Sequence, residues 1–427
     1  MVAVVLFIPI RRFAFPGALP IQLEPYRLLV GLVLIGWGAS LLVDSRVRVR
    51  RTGLEGPLLL ICLAVFGSIV ANPAGVSAAA TDVLKAVMFF VSFVLFYYFV
   101  TSVVRSPADV ERVVAALVIG CTVVALASVV EFRSGFNIFA YMDKLPGIEA
   151  IPTFSQEDAR GGHPRAYGSS EHPIALGALF VVVLPLAIYL AIKKRGLWWI
   201  PVVALPMGVM TTLSRTGAVM LVVTVVVYAI LRPQTMRRMI PIFIVAAIAI
   251  KLAVPGAVGT LRYQFFPKGG LVAEQSTSKG SLQAGNRLTD IGPVLHDVAR
   301  KPVLGIGYGA RVRGLAVKDG RILDDQWLGS LYDTGILGFF GWLWLFWRFC
   351  RRVGRSAVED HSVEGWLKVG LLASAASFAV GMVTFDAFSF TQVTFIFYIV
   401  LAIGSIVVLQ PQLRRARSPR QSVSAIS

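Results

Sequence analysis

Four short stretches hold the side chains best suited to bond chemistry in an otherwise apolar chain. In TLSRTG, Arg215 stands between Ser214 and Thr216, with Gly217 next. A guanidinium grips a phosphate through a planar fork of N–H groups, and neighbouring hydroxyls add donors. In GNRLTD, Arg287 opens a helical pattern at a position where an acid would be favoured, which hints at another partner. In RILDDQW, Asp324 and Asp325 precede an apolar run. One of the pair suits a helix N-cap, and the other is left as a base or a metal ligand. In RAYGSSEHP, Arg165 and Glu171 could pair, and His172 either caps the helix that follows or acts as a base.

Each residue also has a plainer reading. Arg215 could be a snorkelling arginine at a helix end, its stem along lipid and its head in water. Arg287 could be a solvated helix-start residue. The glycines of KPVLGIGYGA lack a preceding strand, so a dinucleotide loop is excluded, and they read as places where backbone passes close to a neighbour.

The elements that carry these residues are membrane spans. Of 427 residues 56% are hydrophobic and only 15% charged, far from the balance of soluble domains. Apolar runs of bilayer-spanning length fall near 2–19 (broken at Arg11 and Arg12), 26–43, 57–72, 83–104, 110–130, 173–192, 197–212, 216–231, 240–256, 327–347, 365–385 and 387–409. The expectation is an all-α, polytopic bundle of about twelve spans. A single transmembrane domain covers 1–409, and a disordered basic tail covers 410–427. No repeat divides the chain.

The net charge of +18 reflects basic clusters in alternate connections, around 46–51, 193–195, 232–238, 348–355 and 414–420, rather than a nucleic-acid surface. One threading places every cluster in the cytoplasm, along with both termini. It sends two long connections outside, about 131–172 and 257–326. The second, between spans 9 and 10, is partly helical: NRLTDIGPVLHDVARKP sets Leu288, Ile291, Leu295 and Val298 on one face, and Pro302 stops the pattern. The three cysteines all lie in spans and imply no disulfide framework.

The order of RAYGSSEHPIALG, TLSRTGAVM, NRLTDIGPVLHDVARKPVLGIGYG and LDDQWLGSLYDTGILG resembles the O-antigen ligase and polymerase superfamily, over roughly residues 165–345. The resemblance implies an enzyme of the bacterial plasma (inner) membrane with its site on the external side. Such an enzyme performs metal-independent, inverting glycosyl transfer from a polyprenyl-diphosphate-linked glycan to an acceptor hydroxyl on a glycan, lipid or protein, without a cofactor. Arginines at the positions of Arg215 and Arg287, aided by Arg165, would hold the diphosphate, with Ser214, Thr216 and Asp325 in support. The family's proposed base is a histidine in a His-Asn-x-Tyr-Leu motif; the matching stretch here is Asp-Asp-Gln-Trp-Leu, so Asp324 takes its place and His172 is the reserve. The competing reading is a secondary transporter or flippase for a lipid-linked glycan or an anionic solute. Transporters gather ionisable groups at mid-membrane; here Lys85, Lys251 and Asp386 are the few candidates in or beside spans.

Overall fold

The computed structural model describes residues 1–17, 23–151, 159–160, 162–266, 291–312 and 323–417. The helices are α1 (Val2–Phe7), α2 (Pro25–Val43), α3 (Glu55–Val70), α4 (Pro73–Ala78), α5 (Ala80–Val103), α6 (Pro107–Ser134), α7 (Pro173–Lys194) and α8 (Trp199–Thr211). They continue as α9 (Arg215–Leu231), α10 (Pro233–Arg238), α11 (Ile240–Ala253), α12 (Ala257–Phe265), α13 (Ile291–Arg300), α14 (Gln326–Glu359), α15 (Val363–Gly381) and α16 (Thr391–Arg417). Among the described residues, strand structure is confined to two-residue ribbons: β1 (Phe13–Ala14) against β2 (Glu149–Ala150), and β3 (Ala159–Arg160) against β4 (His163–Pro164).

Among the described residues, six helices are long and apolar enough to cross a membrane: α2, α5, α6, α7, α15 and the Thr391–Val408 part of α16. A seventh is added if α11 and α12, bent by 95° to each other, count as one. That is fewer than the twelve expected. The run at 2–19 yields only the six residues of α1, about 9 Å of helix at 1.5 Å per residue. Pro9 and the Arg11-Arg12 pair end it, and the chain turns back to form β1. Because β1 pairs with β2, residues 13–14 lie beside residues 149–150 in the connections at one end of the bundle, where the twelve-span threading had set them within a span. The apolar helices α3, α9 and the stretch 196–211 are shorter than a full span.

Helix α7 and the Thr391–Val408 part of α16 form the centre and are almost wholly buried. Around them, α15 packs on both α7 and α9, α14 on α3, and α6 on α8. The basic connections meet at one end of the bundle. Lys193 pairs with Glu111 at 2.8 Å and with Glu364 at 2.7 Å, Arg232 donates to Asp360 O at 2.6 Å, and Arg348 donates to Gly53 O. The motifs singled out from sequence meet at the other end.

Helix α14 is interrupted at Gly335 (φ 65°, ψ −165°). The glycine-rich strip after α13 repairs the interruption. Ile306 N–H donates to Tyr332 O at 3.0 Å and Gly307 N–H to Asp333 O at 3.1 Å, while Ile336 N–H donates back to Pro302 O at 2.8 Å. A Cβ on Gly335 would stand 2.4 Å from Val303 O, so the two backbones come close only because that residue has none. The amphipathic helix α13 buries Val294 and Val298 against Leu323 and Tyr332 and leaves Ile291 and Leu295 exposed. Its inner face is therefore rotated from the expected Ile291–Leu295 line, because the partner surface is the start of α14.

Candidate active site

The SRTG stretch forms the tight hairpin between α8 and α9. Leu213 turns the chain at φ 47°, and Ser214 Oγ accepts Gly217 N–H at 3.3 Å, which makes Arg215 the first residue of α9. A Cβ on Gly217 would lie 3.0 Å from Val209 Cγ1, so this glycine gives the start of α9 room beside α8. Ser214 and Thr216 are buried, Arg215 half-buried. Thr384 Oγ1 donates to Thr216 Oγ1 at 2.9 Å, tying the hairpin to the connection between α15 and α16. The hydroxyls read as extra anion donors thus serve as a helix cap and as a tie.

The RAYGSSEHP stretch docks on that hairpin. Ala166 N–H donates to Thr211 O at 3.0 Å and Arg165 Nε to Thr212 O at 2.9 Å, which sets Arg165 beside the turn that carries Arg215. Two charges clamp the stretch from outside it. Glu131 accepts the N–H groups of Tyr167 (3.1 Å) and Gly168 (2.8 Å), and Arg12 donates to Gly168 O and Ser170 O. Burial pushes the Arg12 guanidinium down to about 10. Ser170 Oγ donates to Gln392 Oε1, fixing the stretch to α16.

Glu171 does not pair with Arg165. It lies 3.5 Å from Arg11 and accepts Thr391 N–H at 2.8 Å, and burial pushes its carboxyl up to about 7. His172 is the N-cap of α7: its Nδ1 accepts Ile174 N–H at 3.1 Å, and its ring centroid lies 5.5 Å from that of Phe390.

At the start of α14 the two aspartates divide. Asp325 Oδ1 accepts Leu328 N–H at 2.9 Å and caps the helix, whereas Asp324 is exposed just before it. Gln326 is buried; it donates its backbone N–H to Met382 O at 2.8 Å and accepts Phe388 N–H on Oε1 at 2.8 Å. Arg287 lies outside the described residues.

The connection of residues 382–390 is therefore the point where these pieces join. Thr384 holds the Arg215 hairpin, Met382 and Phe388 hold the Asp324–Gln326 segment, Phe390 faces His172, and Thr391 holds Glu171. Asp386 of the same connection lies 2.6 Å from Arg311, which also stands 3.5 Å from Asp333. Arg311 and Asp333 are buried, and Arg311 NH1, Asp333 Oδ1 and Asp386 Oδ1 have no hydrogen-bond partner among the described residues. Sequence reasoning passed over this triad. Its one signal was an acid, Asp386, in an apolar turn between two spans.

Residues 200–343 match the family described as O-Antigen ligase. The matched segment runs from α8 through the first half of α14 and takes in Ser214, Arg215, Thr216, Arg287, Asp324 and Asp325. Arg165, His172 and Asp386 fall outside it. No curated protein is significantly similar to the chain.

Proposed function

From the O-antigen ligase segment at residues 200–343, we propose that the chain is a glycosyltransferase of cell-envelope polysaccharide assembly. It takes a glycan from a polyprenyl diphosphate and passes it to an acceptor hydroxyl on the outer face of the plasma membrane. The observation that carries this reading is the hydrogen bonding of residues 165–166 to residues 211–212, which groups Arg165 with the Arg215 hairpin at the end of the bundle where Asp324 enters α14.

In this reading Arg215, with Arg165 and Arg287, holds the donor's diphosphate. As the anomeric C–O bond breaks, charge grows on the departing phosphate oxygen, and fixed guanidinium groups stabilise it without a metal ion. The acceptor oxygen attacks the opposite face of the anomeric carbon, so the configuration inverts. Asp324 takes the proton that the acceptor hydroxyl releases. Asp325, engaged in capping α14, holds the segment in place. The outward orientation rests on the basic connections, which gather at the far end of the bundle and mark it as cytoplasmic.

The test is transfer from a polyprenyl-diphosphate-linked glycan in proteoliposomes. Arg215→Ala and Arg287→Ala should each abolish transfer while the protein still inserts and folds. Arg215→Lys should rescue poorly, since a point charge does not reproduce the fork. Full turnover by Arg215→Ala would refute the assignment, and a requirement for a divalent ion would refute the metal-free step.

A further inference from the structure

Away from the candidate site, α2 and α5 leave a slot of about 150 Å³ between them, lined by Tyr26, Val30, Leu34, Met88, Phe89 and Phe395. Among the six candidate spans α2 is the least buried, and its outward face shows Leu28, Leu29, Leu32 and Ile35. Met88, which lines the slot, is exposed as well, so the slot reaches the outer, lipid-facing surface of the bundle. A Cβ on Gly31, which also lines it, would meet no atom within 4 Å. An apolar slot at this depth is a poor place for water and a good one for hydrocarbon.

Two cations stand at its rim. Lys85, in the second turn of α5, has no ion-pair or hydrogen-bond partner among the described residues; Asp82, one turn earlier, lies beyond ion-pair distance. Arg27, the third residue of α2, is held by Glu24 at 2.7 Å and lies 4.9 Å from the ring of Phe89. At 1.5 Å per residue both are within about 10 Å of the helix ends on the candidate-site side, the depth of lipid headgroups. An ammonium without a protein partner at that level calls for an anion. The slot is also separate from the Arg215 hairpin. It lies beside α5 and α16, whereas α9 packs on α7 and α15.

We propose that this slot holds one anionic phospholipid of the surrounding bilayer, with an acyl chain between α2 and α5 and the phosphate on the Lys85 ammonium. It is a second lipid site, distinct from the one that takes the glycan donor. Its occupant fills the gap α2 leaves and fastens that helix to the bundle.

The test is native mass spectrometry of the purified full chain in mild detergent, titrated with phosphatidylglycerol, phosphatidylcholine or undecaprenyl phosphate. One phosphatidylglycerol should be retained per chain in preference to phosphatidylcholine. Lys85→Ala should weaken it about fivefold. Gly31→Leu keeps Lys85, starts from a position where a Cβ meets no atom within 4 Å and puts its side chain in the slot, and it should abolish retention while the thermal stability of the protein holds or rises. Equal retention of phosphatidylcholine, or undiminished binding in both variants, would overturn the proposal. Displacement of phosphatidylglycerol by a lower concentration of undecaprenyl phosphate would also overturn it, since the occupant would then be a prenyl lipid. Glycan transfer that fails in Arg215→Ala but persists in Gly31→Leu would separate this site from the proposed donor site.

Discussion

His172 Nδ1 accepts the backbone N–H of Ile174 at 3.1 Å, closing the first turn of α7. A neutral imidazole has one acceptor nitrogen, so an accepting Nδ1 leaves Nε2 carrying the proton. His172 then has no second lone pair with which to take a proton from a sugar hydroxyl. Asp324 is exposed just before the helix start that Asp325 caps. We expect Asp324→Asn to lose at least ~100-fold in turnover with donor binding kept, the scale of a lost general base. His172→Asn, which keeps a capping side chain, should stay within a few-fold of wild type. The reverse pattern in a transfer assay would make His172 the base.

Orientation is tested with cysteines at exposed positions on opposite ends of the bundle. Ser134, at the end of α6 near the candidate site, and His361, in the connection between α14 and α15, are both exposed. In intact cells Ser134→Cys should react with a membrane-impermeant thiol reagent, and His361→Cys should react only after lysis. Labelling of His361→Cys in unbroken cells would place the basic end outside and the site with it inside.

Much of this architecture was legible because long apolar runs bounded by basic clusters can hardly be anything but helices in a bilayer. The motifs were legible as well: Arg165, Arg215, Asp324 and His172 all lie on elements that meet around residues 382–390. What escaped has particular causes. The run from Val2 was counted as a span to residue 19 despite its break at Arg11 and Arg12, although Arg12 is needed to clamp Gly168 and Ser170, more than 150 positions away. The break in α14 was invisible because GILGFF reads as uninterrupted apolar helix, and only the strip at 302–307 shows why Gly335 leaves helical geometry. Nothing in the sequence around Arg311 points to its partners, because its two acids come from α14 and from the connection before α16.

The buried carboxyl of Glu171 gives a stability dependence on pH. Burial holds its folded-state pKa near 7, above the ordinary glutamate value. Between those two values the folded chain binds more protons than the unfolded one, so stability falls as pH rises through that window. Below the unfolded value the effect is fully relieved, and above about 7 the full penalty is present. The span amounts to roughly 3–4 kcal/mol at ~1.4 kcal/mol per pKa unit. Thermal unfolding in detergent should therefore show the midpoint dropping between pH 5 and 7, by an amount that shrinks in Glu171→Gln. An unchanged slope in that variant would assign the titration to another group.

The interruption of α14 at Gly335 is the last feature that a single substitution can test. Its backbone lies in a region that residues with a Cβ reach only at a cost of about 1–3 kcal/mol, and that Cβ would in addition stand 2.4 Å from Val303 O. Closing the break would also remove the acceptors for Ile306 and Gly307, because an unbroken helix uses the carbonyls of Tyr332 and Asp333 internally. The strip would then lose its seat, and with it the position of Arg311 between Asp333 and Asp386. A guanidinium or carboxylate left buried without its partner costs several kcal/mol. Gly335→Ala should thus lower the unfolding temperature sharply and abolish transfer. Gly36→Ala, on a helix face with nothing within 4 Å, should leave both unchanged or raise stability by up to about 1 kcal/mol. If Gly335→Ala unfolds at the wild-type temperature, α14 can straighten without harm, and the strip of residues 302–307 does not depend on the break.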